Sequence, residues 1–170
     1  MIKQVFAALA GLALCVPGQA RIEDGTYPLL ELMDSSGIAV SFNGDDCDDG
    51  QYLGVYKHAG MKRAMVLCPG ADVDAQDHMV VRHEAIHAIQ HCVNVARGTS
   101  VLTAIVDDDD ELMEFVYQHL SKDDVERIKQ VYPMDQWRIE FEAFAGMHAF
   151  TSEELAEMFT SACLFTETDA

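Results

Sequence analysis

His83-Glu84-Ala85-Ile86-His87 constrains this chain more than any other feature, because two histidines four residues apart are useful only on a helix. At that spacing both imidazoles lie on one face, one turn apart, and can grip a single metal ion. Residues 74–93 read as that helix. Asp74 or Asp77 can cap its start, no Pro or Gly interrupts it, and Gly98 follows its end. On the helical wheel His83, His87, Glu84, Val80 and His91 share one side. Val81, Ala85, Ala88 and Cys92 lie opposite, and Ile86, Ile89 and Val93 form a third flank. A helix apolar on two flanks with an ionisable face between them belongs in the middle of a fold. Burying neutral His and Glu there is costly unless something satisfies them, and a metal does. A surface helix would leave the apolar flanks unexplained.

Two imidazoles leave room on a tetrahedral Zn²⁺ for a third protein ligand and a water. Glu84 follows the first His and projects beside that water, where it can act as general base. A bound metal lowers the pKa of water from 15.7 to about 7. The third ligand is not His91. It stands eight residues from His83, about 12 Å along the axis, too far for three imidazoles to share one ion. Residues 134–150 offer a carboxylate instead. Trp137, Phe141, Phe144 and His148 form one helical stripe, with Glu140 at its edge. Glu142 points away and stands i+4 from Arg138, so an exposed ion pair accounts for it. Glu140 is thus the carboxylate expected to reach the interior, with Glu142 as runner-up.

His83-Glu84-x-x-His87 followed by Glu140-Phe141-Glu142-Ala143 on a second helix resembles the zincin class of zinc metallopeptidases, its gluzincin branch above all. The resemblance covers about two helices. It implies His83, His87 and Glu140 as zinc ligands and Glu84 as the catalytic base. The chain departs from the commoner gluzincin pattern, with no Asn before Glu140 and Phe144 where an Asp would follow the Ala. The carboxylate usually expected to orient the first His is therefore missing there.

Residues 1–20 resemble a secretory signal peptide: Lys3, an apolar run, and small residues before a cleavage point after Ala20. The run is too short to span a bilayer, and no other segment is long and apolar enough. Leu14 is too bulky for Leu12-Ala13-Leu14-Cys15 to read as a lipoprotein box. Removing residues 1–20 leaves a single domain over 21–170 with four cysteines, Cys47, Cys68, Cys92 and Cys163. An even number in an exported chain implies two disulfides among three possible connectivities. The preferred pairing is Cys47–Cys68 beside a hairpin and Cys92–Cys163 behind the metal-binding helix. Secreted or periplasmic location follows from these features.

The formal net charge of −18 makes nucleic acid and anionic membranes poor partners. Two acidic runs have plain explanations. An EF-hand loop starting at Asp45 would need Glu at its twelfth position, where Tyr56 stands. Residues 107–110 precede a helix and complement its dipole.

The expected fold is α+β. A short helix near residues 29–33 precedes strands at 38–43, 51–57 and 61–68, the last two joined by a His58-Ala59-Gly60 turn. This small antiparallel sheet feeds the metal-binding helix, which packs against a Glu-bearing helix among others at 110–120, 121–132, 134–150 and 152–165. Thr151-x-x-Glu154 is a capping box for the last. The expected activity is peptide-bond hydrolysis on a peptide or protein substrate, with Zn²⁺ as cofactor. Tyr117, His119, Tyr132, Arg138 and His148 are candidate oxyanion donors. The alternative is a zinc-binding module on the same scaffold without turnover, and a metal-free interaction protein would require the pentapeptide to be accidental.

Overall fold

The computed structural model describes residues 26–42, 44–47, 53–59, 62–68 and 75–164, without the side chains of Asp46 and residues 75–78. The expected export signal, the 60–61 turn, Asp74 and most of the first acidic run lie outside them. The order is α1 (Thr26–Ser35), β1 (Ile38–Phe42), a 3-10 turn (Asp45–Cys47), β2 (Gly54–Ala59), β3 (Lys62–Leu67) and α2 (Ala75–Ala96). There follow α3 (Asp109–His119), α4 (Lys122–Val131), a 3-10 turn (Met134–Gln136), α5 (Trp137–Ala149), α6 (Ser152–Phe159) and a π-helical turn (Thr160–Leu164). This is the α+β class. Among the described residues no helix is long and apolar enough to cross a membrane.

The sheet is mixed rather than antiparallel. Its order is β1-β3-β2, with β3 antiparallel to β2 and parallel to β1 in the register Ile38↔Arg63 to Phe42↔Leu67. β3 lies between the other two strands, antiparallel to its hairpin partner β2 and therefore running with β1. The Cys47–Cys68 disulfide joins the loop leaving β1 to the residue after β3, in keeping with two strands that end on the same side. On the face shared with α2 the strands alternate in step, placing Ile38, Val40, Gly54, Tyr56, His58, Arg63, Met65 and Leu67 together. β2 is an edge strand and runs beside α2.

α2 spans 22 residues and lies at the centre, its Val81, Ala85, Ala88 and Ile89 fully within the core. Asp77 falls inside the helix rather than at its cap. Its end is set by Gly98 at φ +82°, which glycine tolerates without a Cβ clash. Thr99 N–H then reaches Asn94 O at 2.9 Å and Gly98 N–H reaches Val95 O at 2.9 Å, a Schellman closure. α6 opens on the Thr151–Glu154 capping box, and α4 carries a second one, Ser121 with Asp124. Asp108 caps α3 by accepting from Asp110 and Glu111 N–H.

Two apolar clusters meet at α5. One gathers α1, the sheet, α2 and α6 around Leu29, Met33, Met65, Ile89 and Phe159. The other packs Leu112, Val116, Val125 and Ile128 of α3 and α4 onto Phe141 and Ala145 of α5. α5 also lies close against α2: a Cβ at Gly146 would stand 2.7 Å from Ile86 Cδ1. With apolar contacts on both sides, α5 has little freedom to rotate, so the positions of Glu140 and Glu142 are fixed by packing. The second disulfide, Cys92–Cys163, fastens the π-helical turn to the back of α2.

Candidate metal centre

α2 and α5 bring His83, His87 and Glu140 together, all buried at 7–8 % exposure. His83 Nε2 and His87 Nε2 are 3.1 Å apart, His83 Nε2 lies 3.3 Å from Glu140 Oε2, and His87 Nε2 lies 3.6 Å from Glu140 Oε1. Two imidazole nitrogens and the two oxygens of one carboxylate, facing one another in a buried site, repel unless a proton or a metal cation lies among them. A tetrahedral ion with bonds of about 2.0–2.1 Å separates its ligand atoms by about 3.3–3.4 Å, within the 3.1–3.6 Å range of the separations here. Glu140 Oε2, one of these atoms, is buried without a hydrogen-bond partner among the described residues, which argues the same way. His83 Nδ1, on the far side of its ring, is likewise unpartnered among them. The group can hold a metal ion.

His87 is prepared for that role by a relay that local sequence spacing did not reveal. Gln90 Nε2 donates to Glu142 Oε2 at 2.8 Å and to Ile139 O at 3.1 Å, which fixes which way its amide points. Gln90 Oε1 therefore accepts from His87 Nδ1 at 2.8 Å. With its proton on Nδ1, His87 turns the Nε2 lone pair toward His83 and Glu140. Glu142 anchors the relay. Far from an exposed ion pair, it is 4 % exposed and also accepts from Ile105 N–H at 2.7 Å and Val106 N–H at 2.9 Å. Arg138 instead donates to Val106 O and Asp107 O and pairs with Asp109. The expectation fails because the irregular run 103–106 folds over this face of α5, which no local spacing encodes. Gln90 itself, three residues beyond His87 on the same face, was open to discovery by helical spacing.

The other imidazole has no such support. Phe144 occupies its flank, ring centroids 4.5 Å apart, where the resemblance would place a carboxylate. His83 is thus held by packing rather than by a second hydrogen bond among described residues.

Glu84 lies against the edge strand. Tyr56 N–H donates to its carboxylate, and a Cβ at Gly54 would stand 3.2 Å from Oε1 and 2.6 Å from Val80 Cγ1. The close approach of β2 depends on that glycine. Without a metal, burial raises the Glu84 pKa to about 8, helped by the neighbouring Glu140 charge and opposed by the Tyr56 N–H. Burial lowers His83 to about 4 and His87 to about 4, so both are neutral donors at pH 7. Burial also raises Glu140, which His87 and a hydrogen bond from Tyr132 oppose.

Tyr132 is the one oxyanion candidate tied to this group, through Glu140. Tyr117 is more than half exposed, His119 packs on Phe115, and Arg138 serves the 106–109 backbone. His148 lies on α5 beyond Phe144, with Arg82 and Asp124 as its charged neighbours. His91 stays apart from the triangle, as helix geometry required: it hydrogen-bonds Tyr56 Oη at 2.9 Å and stacks on His58. Comparison with protein-family models, curated proteins and solved structures gives no match.

Proposed function

We propose that the chain is an exported zinc-dependent metallopeptidase. The observation that carries this reading is the His83–His87–Glu140 triangle with a buried carboxylate, Glu84, beside it on the same helix. Two neutral nitrogens and one carboxylate oxygen form a donor set suited to Zn²⁺. When bound, zinc would supply Lewis acidity toward a scissile carbonyl and toward water.

The chain's own groups supply the rest. His83 and His87 present Nε2 lone pairs, the second oriented by Gln90 and Glu142. Glu140 brings the negative charge that makes the site cation-selective. Glu84 accepts the proton of the attacking water on a carboxylate oxygen and returns it to the leaving amine. Tyr56 N–H holds Glu84 so that its reach is fixed before substrate arrives. The two disulfides support an oxidising, secreted or periplasmic setting.

The second reading, a zinc-binding module without turnover, draws on the missing polar partner at His83 Nδ1. Metal analysis of the purified chain, followed by exposure to an unbiased peptide library with and without chelator, tests both. Stoichiometric zinc with chelator-sensitive cleavage supports the peptidase. Zinc without cleavage selects the module, and no zinc removes both.

A further inference from the structure

The two sulfurs of the Cys92–Cys163 bridge stand in unlike surroundings. Cys92 lies on α2 and is buried at 7 % exposure, whereas Cys163 is half-buried in the π-helical turn after α6. An external thiolate can therefore approach Cys163 Sγ, which makes Cys92 Sγ the sulfur that must leave. Arg63 stands beside that leaving sulfur. The strand register turns Arg63 to the same sheet face as Ile38, Tyr56 and Met65, the face shared with α2. Its Nη2 donates to Ser36 O at 2.8 Å and its Nη1 donates to Cys92 Sγ at 3.5 Å. The first bond anchors the guanidinium, so its position beside the sulfur is held by the fold. A disulfide sulfur is a weak acceptor, but a thiolate is a full charge, so this contact strengthens as the S–S bond breaks. An adjacent cation lowers a cysteine pKa from about 8.5 into the range of about 3.5–7.5. A thiol of lower pKa leaves faster, and its stabilised reduced form makes the disulfide a stronger oxidant.

We propose that Cys92–Cys163 is the exchangeable disulfide of this protein and that Cys163 is the site at which a small thiol adds. The thiolate RS⁻ attacks Cys163 Sγ and forms a new RS–S bond there. The Cys92–Cys163 bond breaks, and its electron pair stays on Cys92 Sγ as a thiolate beside Arg63. A second RS⁻ then attacks the outer sulfur of the adduct, releasing RS–SR and the Cys163 thiolate. Two thiols are thereby oxidised to one disulfide, and the bridge takes up the two electrons. The Cys47–Cys68 bridge also joins a buried sulfur, Cys68 at 4 % exposure, to a more open one. Burial therefore does not separate the two bridges, and the Arg63 contact does. Exchange would unfasten the π-helical turn from the back of α2, and it stands apart from any reading of the metal centre.

The test incubates the full oxidised chain with reduced glutathione under native conditions, quenches in acid and maps the adducts by peptide mass. Glutathione is expected first on Cys163, with Cys92 released, at least about tenfold faster than any adduct on Cys47 or Cys68. A first adduct on Cys47, Cys68 or Cys92 overturns the proposal, as does the lack of any adduct on Cys163 while the chain stays folded. These readings need no substitution. Arg63→Gln then removes the charge, and the Cys47–Cys68 bridge in the same molecule serves as the reference for any general loosening. The ratio of the two exchange rates should fall several-fold. An unchanged ratio in a variant that circular dichroism shows to be folded overturns the proposal as well.

Discussion

Replacing Glu142 by Ala strips the acceptor from Gln90 Nε2, Ile105 N–H and Val106 N–H at once. Hydrogen bonds to a charged group contribute about 1.5–3 kcal/mol each, so the gross loss is about 4.5–9 kcal/mol. Burial of the carboxylate, which raises its pKa, offsets part of this, and breaking a buried charged network costs about 3–5 kcal/mol net. At about 2–4 °C per kcal/mol in a domain of this size, the melting temperature should fall by about 6–20 °C. Metal affinity should also fall about 10–100-fold, because the Gln90 amide then keeps only its bond to Ile139 O and holds the His87 tautomer less firmly. Glu142→Gln, which keeps one acceptor oxygen for Gln90, should cost only about 1–3 kcal/mol and retain most of the affinity. Urea titration of both variants and competition with a metal indicator provide the readings. An Ala variant that loses less than about 0.5 kcal/mol would behave like a surface substitution and refute the burial argument. Unchanged metal affinity in a folded Ala variant would refute the relay.

Glu84→Gln should keep the fold and the metal yet lose peptide hydrolysis by at least about 100-fold, as expected when a general base is removed; retention of most of the rate would show that Glu84 is not the base. Glu140→Ala should weaken metal binding more than Glu142→Ala does, since it removes a ligand rather than a support; metal titration of both variants side by side checks the order. In the chelator-treated protein Glu84 has a folded pKa of about 8 against an ordinary 4.5. Its contribution is present below 4.5 and lost as pH rises toward 8, so the unfolding midpoint should drop between pH 6.5 and 8, and less so in Glu84→Gln. His83 and His87, depressed from 6.5 to about 4, act oppositely and lower stability as pH falls through that window. Thiol titration of the native protein should find Cys47, Cys68, Cys92 and Cys163 unreactive, and reductant should lower the melting temperature before it alters metal affinity at 25 °C.

Local periodicity carried the parts of the fold that local chemistry decides. The helix that carries His83 and His87, the Thr151 capping box and the edge position of Glu140 all follow from spacings of three or four residues. Both cysteine pairs agree with the preferred connectivity. What escaped depends on distant chain. The β1–β3 pairing is parallel because β3 enters the sheet between β1 and β2, a strand order that alternation within each strand does not encode. Glu142 is buried because backbone 36 and 37 residues upstream folds over it. A helical wheel measures direction around one axis and says nothing of which faces acquire a neighbour, so it points Glu142 to solvent although α5 is covered on both sides.

The Cys92–Cys163 bridge also shapes what happens when this protein is unfolded. Along the backbone His87 and Glu140 are 53 residues apart. Through the bridge the path is 28 residues, five from His87 to Cys92 and 23 from Cys163 to Glu140. Halving a loop lowers its closure cost by about 0.6 kcal/mol, so an oxidised but denatured chain re-forms the three-ligand set about threefold more readily. After a transient unfolding with the bridge intact, the crosslink keeps Glu140 within reach of the two histidines.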